Sequence, residues 1–436
     1  MTPFDIGLLA LAGMGVFVLA GLYVPIALIL CSFAGMWAIK GTPALAATML
    51  GLAANDAIAS YFFGVIPLFV LMGFIVAETG LGRDAFDVAN ALFRRVRGGL
   101  GVGTVGASAI FAAITGVSIA SAAVFTKIAV PQMRRHGYSA RFAAGTVAGS
   151  SVLGMLIPPS LLLILYGLLT EQSIGDLFLA GVGPGLLLAV LFGVGVVAMA
   201  TFTPTFVGAV EEDDTPALTP GELVTKALPI TALIGLVLGG IYAGWFTPVE
   251  AGAIGALGAL AIGLVKRSLS LTALWRVLVE TGLVTASVCF LIIAAQMYSR
   301  MLAFSGVPAG FGALAADADL GWLGLVLLYV SITILLGMIL DSSSIMLILV
   351  PLMLPIVQPM GIDLVWFGIV TVIAVEIGLL TPPFGISVYV IHATLADEEV
   401  SIWDIFLGAL PFVGLMLLAL ALVIAFPVIS LGLVGR

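Results

Sequence analysis

Four interruptions in otherwise apolar sequence offer chemistry. Thr115-Gly116-Val117-Ser118-Ile119-Ala120-Ser121 and Gly337-Met338-Ile339-Leu340-Asp341-Ser342-Ser343-Ser344 place glycine and hydroxyl residues inside long hydrophobic runs. Ile157-Pro158-Pro159-Ser160 and Thr381-Pro382-Pro383-Phe384 place two successive prolines inside two others. A proline has no amide to donate and frees a carbonyl one turn earlier. In hydrocarbon an unpaired backbone group is costly, so each break implies a compensating ligand, water or protein neighbour. Carbonyl and hydroxyl oxygens are neutral, hard ligands that can replace the hydration shell of Na⁺. Amides at the helix N-termini beyond the breaks suit an anion, particularly a carboxylate. One polar tip and one Pro-Pro break in each half could hold a cation, with an anion between the halves. Serine and glycine also mediate tight packing of membrane helices, and a lone proline kink is commonly structural. For one break alone packing is the better reading; the same pair of breaks in both halves favours an ion or substrate role.

Asp341 is the most informative ionisable residue, because it falls in an apolar run where an unpaired charge is costly. It reads either as a cation ligand or proton-binding carboxyl, or as a helix N-cap. Glu376 stands in an apolar stretch before Pro382 and is a second candidate. Glu250 reads as structural, His136 as a solvated loop residue, and Lys127 as a snorkelling or charge-balancing one. No role is assigned to His392. Ser118 and Ser121 lack a nearby histidine base, and the chain has no nucleophile triad, P-loop or zinc motif, so it does not read as an enzyme. Cys31 and Cys289 lie far apart in apolar runs and form no metal motif.

The elements that carry these residues must lie in a bilayer. Of 436 residues 62% are hydrophobic and only 9% charged, where soluble proteins carry about 25% charged residues. With 15 Lys+Arg against 23 Asp+Glu the net charge is -8, which argues against a nucleic-acid binder. The apolar runs are long and continuous, without the alternation of a β-barrel. A crossing needs about 20 apolar residues, which predicts crossings near 5–21, 23–39, 62–79, 139–170, 177–202, 227–245, 247–265, 281–299, 363–393 and 403–430. Stretches near 99–133 and 321–357 break in the middle. The start, Met1-Thr2-Pro3-Phe4-Asp5, lacks the basic region of a cleavable signal.

With the N-terminus outside, Arg83, Arg94, Arg95, Arg97, Arg134, Arg135, Arg141, Lys226, Lys266, Arg267 and Arg276 all fall on one side. Only Lys40, Arg300 and Arg436 fall on the other, which is a positive-inside pattern with both termini external. The first broken stretch is flanked by arginines and so starts and ends in the cytoplasm. The second, between Asp317-Ala318-Asp319 and Gln358–Asp363, starts and ends outside. Two re-entrant hairpins from opposite faces are the natural arrangement. Two full crossings in each would preserve the same parity.

The halves repeat. Val24-Pro25-Ile26-Ala27 and Thr247-Pro248-Val249-Glu250 open apolar runs at an offset of 223 residues, and the two Pro-Pro motifs are 224 apart. Gly116 to Pro131 parallels Gly337 to Pro351 at nearly the same offset. Five crossings and one hairpin per half give an odd count, so the second half is inverted, as in secondary transporters. The predicted division is a first repeat over 1–202, a cytoplasmic linker over 203–225 containing Glu211-Glu212-Asp213-Asp214, and a second repeat over 226–436. The fold class is all-α integral membrane, with about ten crossings and two re-entrant hairpins.

Several motifs also resemble one family. Ala113–Ser121, Pro131-Gln132-Met133-Arg134-Arg135-His136-Gly137-Tyr138, Leu156–Ser160 with Tyr166-Gly167, and Ser173–Gly181 resemble the large membrane subunit of TRAP transporters, the DctM-like family of the ion-transporter superfamily. Phe246–Ala251, Leu336–Asp341 and Glu376–Pro383 continue the match through essentially the whole chain. The resemblance implies an elevator-type secondary transporter in the bacterial inner membrane. It would import a small organic acid, such as a C4-dicarboxylate or sialic acid, on a Na⁺ gradient. It also implies two partners: a periplasmic substrate-binding protein, and a small membrane subunit of about four helices (cf. the span rule), separate because the first crossing starts near residue 5. Carried onto this sequence, the Na⁺ sites would involve Gly116, Ser118 and Ser121 with the loop at Pro158, and Gly337 and Asp341–Ser343 with the loop at Thr381 and Pro382. The second tip departs from many relatives in its Asp-Ser-Ser-Ser run. Ser160 and Glu376 are candidate substrate contacts.

Three rivals stand beside this reading. A stand-alone dicarboxylate or citrate symporter would work without a binding protein. A proton-coupled carrier would use Asp341 or Glu376 and follow pH rather than Na⁺. A membrane enzyme would need a catalytic cluster that the sequence does not show.

Overall fold

A computed structural model describes residues 1–59, 61–209, 218–317, 321–383, 385–395 and 400–435. Glu211–Asp214, Asp319, Phe384 and Arg436 lie outside the described residues. Among the described residues the regular structure is helical, apart from a single bridge between Tyr138 and Gly208. The first half contains α1 (Pro3–Leu19), α2 (Val24–Lys40), α3 (Pro43–Ala59), α4 (Val65–Glu78), α5 (Leu81–Phe93), α6 (Gly99–Thr115), α7 (Ser118–Arg135), α8 (Ala140–Ser151), α9 (Leu153–Leu156), α10 (Leu161–Thr170) and α11 (Ile174–Phe202). After the short α12 (Pro204–Val207) come α13 (Pro220–Tyr242), α14 (Pro248–Val265), α15 (Leu271–Ser305), α16 (Val307–Asp317), α17 (Trp322–Gly337), α18 (Ser342–Val357), α19 (Leu364–Leu380), α20 (Ile386–Leu395), α21 (Ile402–Ala425) and α22 (Val428–Leu431).

The helix starts follow local chemistry. Thr2 with Asp5, Thr219 with Glu222, Thr247 with Glu250 and Ser401 with Asp404 form capping boxes in which hydroxyl and carboxylate satisfy each other's orphan amides. Pro3, Pro220 and Pro248 occupy the first turns, where a missing amide costs nothing. Glu250 is thus the structural residue the sequence predicts. Six described helical segments are long and apolar enough to cross a membrane, counting α8–α10 as one.

The order of elements recurs. The Pro-led α2 corresponds to α14, the α6/α7 pair to α17/α18, and the interrupted α8–α10 to α19–α20. The one long helix α15 corresponds to α3 and α4 together, and it packs against both as well as against α2. The run near 62–79 is the 14-residue α4, with α3 before it, and neither α3, α5 nor α16 follows from a search for long apolar runs. α5 turns away from α4 by 68°. It buries Leu81, Ala85, Phe86, Val88 and Ala89 on one face, while Arg83 is exposed and Asp84 and Asp87 are only partly buried. That is the pattern of an amphipathic helix, too polar for a crossing.

Two groups of charged residues lie at well-separated positions on the long helix α15. Asp87 pairs with Lys226, Asp84 with Lys266, and Glu78 with Arg276 at 2.7 Å, which clips α5 and the end of α4 to the ends of α13, α14 and α15. Lys40 sits 3.9 Å from the centroid of the Phe304 ring, and Arg300 pairs with Asp56 at 3.1 Å. Lys226, Lys266 and Arg276, which the sequence assigns to one side, thus share one group, and Lys40 and Arg300, assigned to the other, share a second.

Candidate ion and substrate site

At the first interruption α6 ends on Gly116, whose φ of +66° is left-handed, and α7 restarts at Ser118. This tip lies against the Pro-Pro break. The Gly116 carbonyl accepts the Leu161 amide at 3.1 Å, and a Cβ on Gly116 would meet the Pro159 carbonyl. Gly154 presses on the Val117–Ser118 peptide from the other side, at 3.1 Å from the position of its absent Cβ. Ser118 and Ser121 follow on α7, three residues apart and so on one face. Both are fully buried, and neither Oγ has a hydrogen-bond partner among the described residues. Leaving a buried hydroxyl unpaired costs about 1–3 kcal/mol. Pro158 is buried as well. Ser160 donates to the Met155 carbonyl, which the following prolines leave free, and accepts the Leu163 amide at 3.2 Å as the cap of α10.

The second interruption is built similarly. α17 ends at Gly337, and Asp341 caps α18 by accepting the Ser344 amide at 3.1 Å and the Ser344 hydroxyl. The N-cap reading of Asp341 is therefore realised, with the carboxylate exposed at the tip. Ser342 is buried and donates to Glu376 Oε1 at 3.3 Å; Glu376 is 1% exposed, and its Oε2 has no partner among the described residues. Ser343 is half-buried. At the Pro382–Pro383 break the Thr381 hydroxyl donates to the Ile377 carbonyl at 2.7 Å and its amide to Gly378 at 3.0 Å. Ser160 and Thr381 thus recapture carbonyls within their own breaks, so those breaks expose fewer free oxygens than the sequence implies.

The halves brace each other across these breaks. α10, after the first Pro-Pro, packs on α18 of the second hairpin; α20, after the second, packs on α7 of the first. The Tyr166 hydroxyl on α10 donates to the Leu364 carbonyl at the head of α19, at 2.7 Å. All the predicted site residues therefore sit at two junctions, Gly116, Ser118, Ser121, Pro158 and Ser160 at one and Gly337, Asp341, Ser342, Ser343, Glu376, Thr381 and Pro382 at the other. Sequence reasoning missed Ser387. It is fully buried in the first turn of α20, its Oγ also has no partner among the described residues, and its helix faces α7. A serine just beyond a double proline was the available signal. Neutral hydroxyls at the first junction and carboxylates with hydroxyls at the second form oxygen-rich sites of the kind a small hard cation accepts.

Known proteins fit this arrangement. The profile for "Tripartite ATP-independent periplasmic transporter, DctM component" matches residues 11–429. A C4-dicarboxylate TRAP transporter large permease protein, DctM of Pseudomonas aeruginosa, is 36% identical over 382 residues, 86% of each chain. The ectoine TRAP transporter large permease TeaC of Halomonas elongata is 31% identical, over 84% of this chain and 85% of its own. Among solved structures, Neisseria gonorrhoeae MtrF, from a class of antimetabolite efflux pumps, shares the fold with a TM-score of 0.63 over 87% of this chain and 83% of its own, at 13% identity. The two permease relatives are transport proteins rather than enzymes. Together with the paired interruptions of α6/α7 and α17/α18, the matches establish that this chain belongs to the DctM family, the large permease subunits of tripartite ATP-independent periplasmic transporters.

Proposed function

We propose that the chain couples inward Na⁺ flow to the uptake of a small organic acid carrying a carboxylate. The observation that carries this reading is the pair of buried, unpartnered hydroxyls of Ser118 and Ser121 beside the tip of the first hairpin. A bound Na⁺ would supply the partner that the fold withholds. Gly116 and the loop at Pro158 complete that site; Gly337, Asp341, Ser342, Ser343, Thr381 and Pro382 frame a second. The carboxylate would lie between them, with Ser160 and Glu376 on its borders. The C4-dicarboxylate relative supports an acidic substrate, while the ectoine relative shows that cargo varies on this scaffold.

The two halves act as inverted repeats of about five crossings each, with hairpins entering from opposite faces and both termini in the periplasm. The hairpins and the broken helices move together as an elevator against a scaffold. A periplasmic binding protein delivers the substrate, and a separate small membrane subunit joins the scaffold. The family's tripartite character supports both partners.

A second reading rests on Glu376. Its buried carboxyl with one unpartnered oxygen is suited to carrying a proton. Uptake into proteoliposomes containing the chain, a candidate small subunit and a candidate binding protein separates the two, with Na⁺ and pH gradients imposed independently. Uptake should follow the Na⁺ gradient. Uptake that survives removal of Na⁺ and follows pH would replace Na⁺ coupling with proton coupling. Uptake without the binding protein would point instead to a stand-alone symporter.

A further inference from the structure

We propose that a groove between α6 and α11 binds one anionic phospholipid, its phosphate held by Arg94, Arg95 and Arg97. The three arginines fall within four residues, between the end of α5 and the start of α6, and all are exposed. They line a cleft of about 760 Å³ together with Asn90, Tyr138 and Ala200. No acidic side chain belongs to its described lining, and among the described residues no ion pair engages these three guanidiniums. Guanidinium groups match phosphate oxygens in geometry as well as charge.

The cleft opens into an apolar groove. Val96 lines both, and on α11 Ala200 of the cleft adjoins Thr201 of the groove. The groove holds about 610 Å³ between Val102 and Gly106 of α6 and Leu186, Val190 and Val194 of α11. Those last three, each about 60% exposed, recur every four residues and so form one stripe. Gly193 leaves the floor open; an added Cβ would meet only Val102, at 3.8 Å. From Leu186 to Phe202 the stripe runs about 24 Å at about 1.5 Å per residue. One leaflet of hydrocarbon is about 15 Å deep, half of about 30 Å, so the stripe accommodates an acyl chain along its length.

Charge and apolarity are continuous here, and a phospholipid satisfies both with one molecule. A helix of another protein would cover the stripe, but the cluster of cations at its end calls for a phosphate. Basic pockets between membrane helices are a recurring solution for anionic headgroups. The inference does not depend on which ion or substrate the chain transports.

Native mass spectrometry of the delipidated full chain, titrated with dioleoyl phosphatidylglycerol or dioleoyl phosphatidylcholine, tests this. The wild-type chain should hold one phosphatidylglycerol in preference to phosphatidylcholine. Removing three cations that face a lipid phosphate, Arg94→Gln/Arg95→Gln/Arg97→Gln should weaken that adduct by at least about tenfold. Gly193→Leu fills the groove without changing charge and should weaken it comparably. A control with the same charge loss elsewhere, Arg83→Gln/Arg135→Gln/Arg267→Gln, should keep it. Equal affinity for the two lipids would overturn the proposal, and so would equal weakening by the control. Should the triple variant fail to purify, an undiminished adduct in Gly193→Leu is sufficient to overturn it. Loss of a co-purifying membrane subunit in Gly193→Leu, with the lipid adduct unchanged, would reassign the groove to a protein partner.

Discussion

Gly378 meets Gly337 backbone to backbone. A Cβ on Gly378 would lie 2.6 Å from the Gly337 Cα, and one on Gly337 would lie 2.8 Å from the Gly378 Cα. Gly378 stands four residues before Pro382, and Gly154 stands four before Pro158. Each of these matched glycines seats the hairpin of its own half: Gly378 receives the end of α17, and Gly154 receives the Val117–Ser118 peptide. The repeated motif is therefore a hairpin seat as much as a helix break. Small residues at such crossings let membrane helices approach closely.

The two seats differ in tolerance. At Gly378 the obstacle is backbone inside van der Waals distance, which has to move; at Gly154 the closest approach is 3.1 Å. Gly378→Ala should destabilise the folded protein by about 1–3 kcal/mol, the usual range for overpacking, and Gly154→Ala by less. Thermal unfolding in detergent or nanodiscs measures both. Equal losses would show that the α17–α19 crossing relaxes as easily as the first seat.

Ser118→Ala with Ser121→Ala should lower apparent Na⁺ affinity in uptake assays while leaving folding intact. Removing two buried hydroxyls that lack partners takes away a cost rather than a contact, so thermal stability without Na⁺ should hold or rise slightly. In wild type, added Na⁺ should raise the unfolding temperature, and in the double variant that rise should shrink. A double variant with an undiminished Na⁺ response would remove these two hydroxyls from the ligand set.

Much of this was legible in the sequence, and the omissions share a cause. The four interruptions stand out because glycine, serine and proline are conspicuous against apolar runs; the helices break at Gly116, Pro158, Gly337 and Pro382. α5 was not legible as a helix of the core because its burial is one-sided: Asp84 and Asp87 depress any window average while Phe86 and Val88 reach the core. α3 escaped for a related reason, since Asn55 and Asp56 dilute its apolar run. What side chains do at the breaks depends on distance rather than composition. The Ser160 and Thr381 hydroxyls are conspicuous in sequence, but only the packed structure shows that each donates to a carbonyl of its own break. Ser387 carries an unpartnered hydroxyl that only the packing of α20 on α7 makes relevant.

Asp341 has two separable jobs, a cap and a charge. Asparagine caps helices about as well as aspartate, whereas alanine costs about 0.5–2 kcal/mol. Asp341→Asn should therefore keep the thermal stability of wild type, and Asp341→Ala should lose about 1 kcal/mol, typical of a lost N-cap. On the Na⁺ reading the asparagine variant should still weaken the Na⁺ dependence of uptake. Wild-type Na⁺ dependence in Asp341→Asn would leave Asp341 with the cap alone.

Gly116 and Gly41 separate backbone strain from contact at the first junction. Both end a helix in the left-handed region, at φ +66° and +78°. A Cβ on Gly41 would meet nothing within 4 Å, whereas one on Gly116 would strike the Pro159 carbonyl. Gly41→Ala should therefore cost only the left-handed strain of an L-residue, about 1–2 kcal/mol. Gly116→Ala carries that strain and must also displace the Pro158–Pro159 loop, with the bond from the Leu161 amide to the Gly116 carbonyl. Its unfolding temperature should fall further, and its apparent Na⁺ affinity should fall as well, while Gly41→Ala keeps wild-type affinity. If the two variants lose equal stability and both keep Na⁺ affinity, the contact between hairpin tip and Pro-Pro loop has no part in the ion site.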